Sequence, residues 1–281
     1  MLKFLSAGWL IGWLLVGSPL RADVVVLVHG WAANANTWAT SGVMPVLLRH
    51  GWKDAGVLLT TPAGVINYMS YPPKPGHSLY RVSLPAQAPM TVQARHFLAQ
   101  LDYIKQRHAH EKITVVAHSA GGIVARLALI HQDAPAVSSL ISIATPHLGS
   151  RHAVEGLEIS NAKPFFCPGP GMEFMKSVIG GQSYRYLHDS QAVLVDLLPE
   201  GLGGLIDWLN HQPHPDIEYH SVVKQLPGRD GDEWVSAHSQ DMNQVAAIQG
   251  RSAVQITLSG HALMAADGLL IYTIVQGLNP R

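Results

Sequence analysis

The chain has 281 residues, 47% hydrophobic and only 14% charged, which supports a large core and excludes a disordered chain. Lys plus Arg and Asp plus Glu are both 19, so the net charge is zero and the basic footprint of a nucleic-acid binder is missing. The single cysteine, Cys167, excludes an intramolecular disulfide and a multi-thiolate metal site.

Residues 1–22 (MLKFLSAGWLIGWLLVGSPLRA) carry Lys3, then an apolar stretch, then Gly17, Ser18 and Pro19 ahead of Ala22. This is the order of a secretory signal peptide, and the apolar run is short of the ~20 residues a spanning helix needs. The expectation is cleavage after Ala22 and a secreted or periplasmic protein, with residues 23–281 as one domain.

Asp23–Val28 is a β-branched run ending at His29-Gly30, which fits a buried parallel strand. Residues 57–61 (VLLTT) read as a second strand. Ala94, Phe97, Leu98, Leu101 and Ile104 fall at helical spacing, so 91–106 should be an amphipathic helix. Residues 113–117 form the next strand, 120–131 a helix, 140–144 a strand, and 217–223 another. The last pair is a strand at 254–258 and a helix at 262–276. Strands alternating with helices predict an α/β fold, a mostly parallel sheet covered on both faces.

Residues 150–217 break this rhythm, since αβ loops run only about 2–6 residues. The stretch is rich in Gly and Pro but also holds Phe165, Phe166, Met172, Phe174, Leu197, Leu205, Ile206 and Trp208. It is too apolar for a solvated linker and should fold over something.

The motif with the clearest chemistry is Ala117-His118-Ser119-Ala120-Gly121-Gly122, between a predicted strand and a predicted helix. That context defines the nucleophile elbow, where a serine sits on a sharp strand-to-helix turn. Small residues are needed two before and two after it, here Ala117 and Gly121, because strand and helix nearly touch. The loop after the first strand, Val28-His29-Gly30-Trp31, would supply one oxyanion-hole N–H and the residue after the serine the other. These are the main-chain groups of Trp31 and Ala120. Gly30 allows close approach, and His29 reads as a residue that holds this loop.

The chain order Ser, acid, His places the base late. His261 follows the 254–258 strand and the turn Ser259-Gly260, whereas His238 lies at a helix start. The acid should follow the 217–223 strand, where Asp230, Asp232 and Glu233 are candidates.

These residues resemble the α/β-hydrolase superfamily, and within it the bacterial secreted lipases and esterases. Residues 25–30 (VVLVHG), 117–122 (AHSAGG) and 144–150 (ATPHLGS) match the family's motifs in order and spacing. The AHSxGG form is similar to that of the small Bacillus lipases. Asp232-Glu-Trp-Val-Ser236 through Ser239 resembles the family's D-G-x-V-P-x-x-S acid loop, which selects Asp232. Glu233 departs from that pattern, standing where glycine is usual. The resemblance also implies that 151–216 is an inserted cap or lid. Some relatives hold a structural calcium or zinc ion. Asp230, Asp241 and Asp267, or His211, His214 and His220, are the side chains that could bind one, but a solvated loop is the better reading and no metal or cofactor is expected.

The expectation is therefore a serine hydrolase of carboxylic esters, with Ser119, His261 and Asp232 as the triad and lipid acyl esters as substrates. Its partners would be a small-molecule or lipid ester and, transiently, a lipid interface. The same site also suits acyl transfer, thioester hydrolysis or polyester depolymerisation. A non-catalytic binding protein on this scaffold is the rival from another class.

Overall fold

In the computed structural model, which describes residues 23–68, 76–131, 137–161 and 184–278, strand β1 (Asp23–Val28) is buried at all six positions. Such burial requires neighbours on both edges and both faces. Residues 1–22, read above as a signal peptide, and Phe165, Phe166, Met172 and Phe174 lie outside the described residues.

Two short helices follow β1, α1 (Thr37–Thr40) and α2 (Val43–Arg49). Strand β2 (Lys53–Thr61) turns back into β3 (Gly64–Tyr68), and β4 (Ser78–Ser83) comes next. Helix α3 (Met90–Arg107) precedes β5 (Lys112–His118), and α4 (Ala120–Leu129) precedes β6 (Ser139–Ile143). The long stretch that follows contains α5 (Arg151–Asn161), α6 (Tyr184–Asp189), α7 (Gln191–Asp196) and α8 (Leu205–Asn210). The chain then forms β7 (Glu218–Lys224), the single turn α9 (Ala237–Gln240), β8 (Ser252–Thr257) and α10 (Ala265–Leu278).

The eight strands make one sheet in the order β3-β2-β4-β1-β5-β6-β7-β8. Every pairing is parallel except β2 with β3. This is the predicted α/β architecture with one antiparallel edge. Two strands escaped the sequence reading. In β4, Arg81 interrupts the apolar run, yet it is buried because its guanidinium meets Asp54 at 3.0 Å. In β3, half-buried and exposed positions alternate and none is buried, so no apolar face stands out in the sequence.

Apolar side chains cover both faces. Phe97, Leu101 and Ile104 of α3 and Ile123 and Val124 of α4 pack on one side, joined by Leu194 of α7 and Leu209 of α8. Trp38, Val43 and Leu47 pack on the other with Ile271 and Val275 of α10. The helices of the inserted stretch thus share the core of the sheet.

A buried polar cluster ties that stretch to α4. Arg126 is fully buried, and desolvation draws its guanidinium down to about 9, still a cation at neutral pH. It donates to Asn210 Oδ1 at 2.8 Å and to His214 Nε2 at 3.2 Å, with His147 Nδ1 at 3.4 Å. Only neutral imidazoles can accept from it. Burial holds His147 well below its ordinary value, and holds His214 at about 4. Burial likewise lowers His29 and His118.

Unfolding releases these histidines to titrate near 6.5. Between that value and the lower folded values, the unfolded chain binds more protons than the fold. Their contribution is therefore complete above about pH 6.5 and is lost as the pH falls through the folded values. Urea midpoints should fall steadily from about pH 7 to about pH 5. A midpoint constant over this range would contradict the burial of neutral histidines.

Candidate active site

Strand β5 ends at His118 and α4 starts at Ala120, leaving Ser119 alone at the turn with φ 54° and ψ −134°. This conformation costs a non-glycine residue roughly 1–3 kcal/mol and persists only where the surroundings impose it. Here Ser119 N–H donates to Ile143 O at 2.8 Å, and Gly122 N–H donates to Ser119 O at 2.9 Å. The turn is also crowded. A Cβ on Gly121 would strike the His29 carbonyl oxygen, and one on Gly30 would lie 2.8 Å from Ser119 Cβ. The expected small residue at Gly121 and the expected close approach at Gly30 therefore each have a steric cause.

His261 Nε2 lies 2.9 Å from Ser119 Oγ, and His261 Nδ1 lies 2.8 Å from Asp232 Oδ2. A carboxylate only accepts, so Nδ1 donates to it and Nε2 keeps its lone pair for the serine hydroxyl. The other carboxylate oxygen, Asp232 Oδ1, accepts from the N–H groups of Trp234 at 2.7 Å and Val235 at 2.8 Å. Gln240 Nε2 approaches Oδ2 at 3.3 Å while its amide also bonds both main-chain groups of Lys224. The Asp232 carboxylate is thus fixed between β7 and α9, shielded from water.

The histidine loop between β8 and α10 is tied down at several atoms. His118 Nε2 donates to His261 O at 2.9 Å, and the two rings stand 5.1 Å apart. Burial above all keeps His118 neutral. Lys224 Nζ is fully buried and donates to Ala262 O at 2.6 Å and to Asp267 Oδ2 at 2.8 Å. Asp267 also accepts from Met264 N–H at 2.7 Å.

Ser119 opens into a pocket of about 440 Å³. Trp31 and Ala120 line it beside the serine. Ala120 is the first residue of α4, so its N–H has no intrahelical acceptor. One wall is apolar, made by Ala153 of α5, Leu194 of α7, Leu197, Trp234 and Val235. Thr37, Thr40 and Ser41 also line the pocket.

The remaining candidates lie elsewhere. Asp230 is exposed in the turn before Asp232, and His238 is exposed on α9. His29 is buried, donates from Nδ1 to Gly30 O at 3.0 Å and accepts from Leu84 N–H at 3.1 Å, so it braces the loop. Asp241 accepts from Asn243 N–H, Asp267 pairs with Lys224, and His214 faces Arg126. Among the described residues no three such side chains converge as metal ligands. The sequence reading missed the Lys224–Asp267 pair, Gln240 and the contact of Glu233 with His261. A lysine at the end of an apolar strand was the available signal for the first.

The sequence model of the α/β hydrolase fold matches residues 23–161. No curated protein sequence matches the chain. Among solved structures, the lin2722 gene product of Listeria innocua superposes with a TM-score of 0.60 at 14% identity, covering 92% of this chain and 95% of that one. The mature lipase BlEst2 of Bacillus licheniformis superposes with a TM-score of 0.59 at 16% identity, covering 93% of each chain. Phospholipase PlaB of Legionella pneumophila gives 0.51 at 19% identity, over 79% of this chain and 46% of that one. At these identities the likeness is one of fold. Residues 23–161 thus match the α/β-hydrolase family by sequence, and the chain has the α/β-hydrolase fold.

Two substitutions test the packing around the site. Asp267→Asn leaves the Lys224 ammonium buried without its counter-charge and should lower unfolding free energy by about 3–5 kcal/mol in urea titrations. Gly121→Ala should yield a protein that is insoluble or strongly destabilised, because the methyl group meets main chain and cannot be relieved by a rotamer change. Wild-type stability of either variant would contradict the arrangement.

Proposed function

We propose that the protein is a serine hydrolase of carboxylic esters, acting on apolar acyl groups. The observation that carries this reading is the continuous hydrogen-bonded chain Ser119–His261–Asp232, whose first two members line a pocket. In this reading, Ser119 Oγ attacks the ester carbonyl carbon as His261 Nε2 takes its proton. Asp232 holds the ring and stabilises the imidazolium. The N–H groups of Trp31 and Ala120 receive the oxyanion, each donor contributing roughly 3–4 kcal/mol to the barrier reduction. Collapse of the tetrahedral intermediate breaks the ester C–O bond, and His261 gives its proton to the leaving alkoxide. Water then attacks the acyl-enzyme with His261 again as base, releasing the acid and restoring Ser119.

The apolar wall formed with Ala153, Leu194 and Leu197 supports an acyl chain as the group bound there. These residues belong to the 151–216 stretch, which in this reading acts as a cap. Leu202 and Trp208 are exposed on the same stretch, at 62% and 51%, and support transient contact with a lipid surface. The lipase activity named for the Bacillus licheniformis fold neighbour agrees with this reading. The charge and apolar order of residues 1–22 supports export.

Ser119→Ala should lower hydrolysis of p-nitrophenyl esters by at least about a thousandfold. Unchanged activity would overturn the reading. Leu194→Trp should reduce activity on octanoate and longer esters much more than on acetate. A uniform loss across chain lengths would remove the acyl chain from this wall.

A further inference from the structure

We propose that Glu233 is a positioning residue for His261, holding its main chain while Asp232 holds its ring. This rests on the reading of Ser119, His261 and Asp232 as the reacting set. Glu233 Oε2 accepts from His261 N–H at 2.7 Å, the length of a charge-assisted hydrogen bond. The carboxylate lies against the preceding peptide as well. A Cβ on Gly260 would strike Glu233 Oε1 and stand 3.0 Å from Glu233 Cδ and Oε2. The glycine before the histidine therefore leaves the space that this carboxylate fills.

Two consecutive residues of the acid loop thus grip one residue of the histidine loop. Asp232 takes the imidazole at Nδ1, and Glu233 takes the amide N–H. The other main-chain group of His261, its carbonyl, accepts from His118, the neighbour of Ser119. With both main-chain groups held, Cα is fixed in place, and with Asp232 fixing the ring at Nδ1, Nε2 lies 2.9 Å from Ser119 Oγ. A displacement of about 1 Å at such a base can cost ~10²-fold in rate.

Stability alone does not explain the contact. Glu233 is exposed, so water could satisfy the His261 N–H without it. Nor does Glu233 line the pocket, so it has no hold on bound substrate. Its effect should fall on the reaction step. The acid-loop pattern that this sequence otherwise resembles has glycine at this position, so the contact belongs to this chain's own residues.

The test compares wild type, Ser119→Ala, Glu233→Ala and Glu233→Gln in steady-state hydrolysis of p-nitrophenyl butyrate, with thermal unfolding alongside. Glu233→Ala should lower kcat about tenfold with KM within about twofold and an unchanged melting temperature. Glu233→Gln should recover most of the lost kcat, because its amide oxygen still accepts from His261 N–H. Gly260→Ala, which displaces the carboxylate without removing it, should lower kcat in the same way. Wild-type kcat in Glu233→Ala, or a change confined to KM, would overturn the proposal. So would Glu233→Gln no better than Glu233→Ala. If wild-type hydrolysis itself does not depend on Ser119, the catalytic reading fails, and this failure is separate from a Ser119-dependent enzyme indifferent to Glu233.

Discussion

Ser119 holds a main-chain conformation that an L-residue keeps only when its neighbours leave it no other. Much of the architecture serves this one residue. Parallel strand β6 receives its N–H, α4 receives its carbonyl through Gly122, and the loop after β1 presses against both. The central position of β5, between β1 and β6, makes these contacts simultaneous. The serine hydroxyl is thereby presented at the end of the sheet, beside a helix N-terminus whose partial positive charge favours an anion.

The second requirement is that a histidine from the far end of the chain meet that serine. The structure achieves this with polar groups buried in an apolar setting, where each bond is strong because an unmade one is costly. Lys224 at the end of β7 holds Ala262 and Asp267. His118 holds His261 from the serine side and Asp232 holds it from the acid loop, while the exposed Glu233 adds a bond to its main chain. Arg126 performs a similar task on the opposite face, joining α4 to α8 through Asn210 and to two neutral histidines. The stretch after β6 is therefore anchored to the helix that starts at the serine.

The legible parts of the fold were those whose signal is local. The β-branched run at Asp23–Val28 and the helical spacing of Phe97, Leu101 and Ile104 stand in the structure where the pattern puts them. The turn at Ser119 was visible because its steric demands fall close by in sequence, as at Gly121. Other features depend on pairs far apart in sequence. Strand β4 contains a buried charge that makes sense only with Asp54. The Lys224–Asp267 pair spans two elements, and neither residue announces the other. Glu233 was visible as a departure from a pattern, but its contact with His261 required the two loops to be brought together. Asp232 could be preferred over Asp230 by resemblance alone. The structure distinguishes them by burial, one enclosed against His261 and the other facing water.

The central claim is that His261 activates Ser119 as a nucleophile. Its most direct test is mass spectrometry of the protein treated with a fluorophosphonate, with peptide mapping of the adduct. The account predicts one adduct per chain, located on Ser119, and almost none in His261→Ala under the same conditions. Labelling at another residue, or equal labelling of Ser119 without His261, would contradict it.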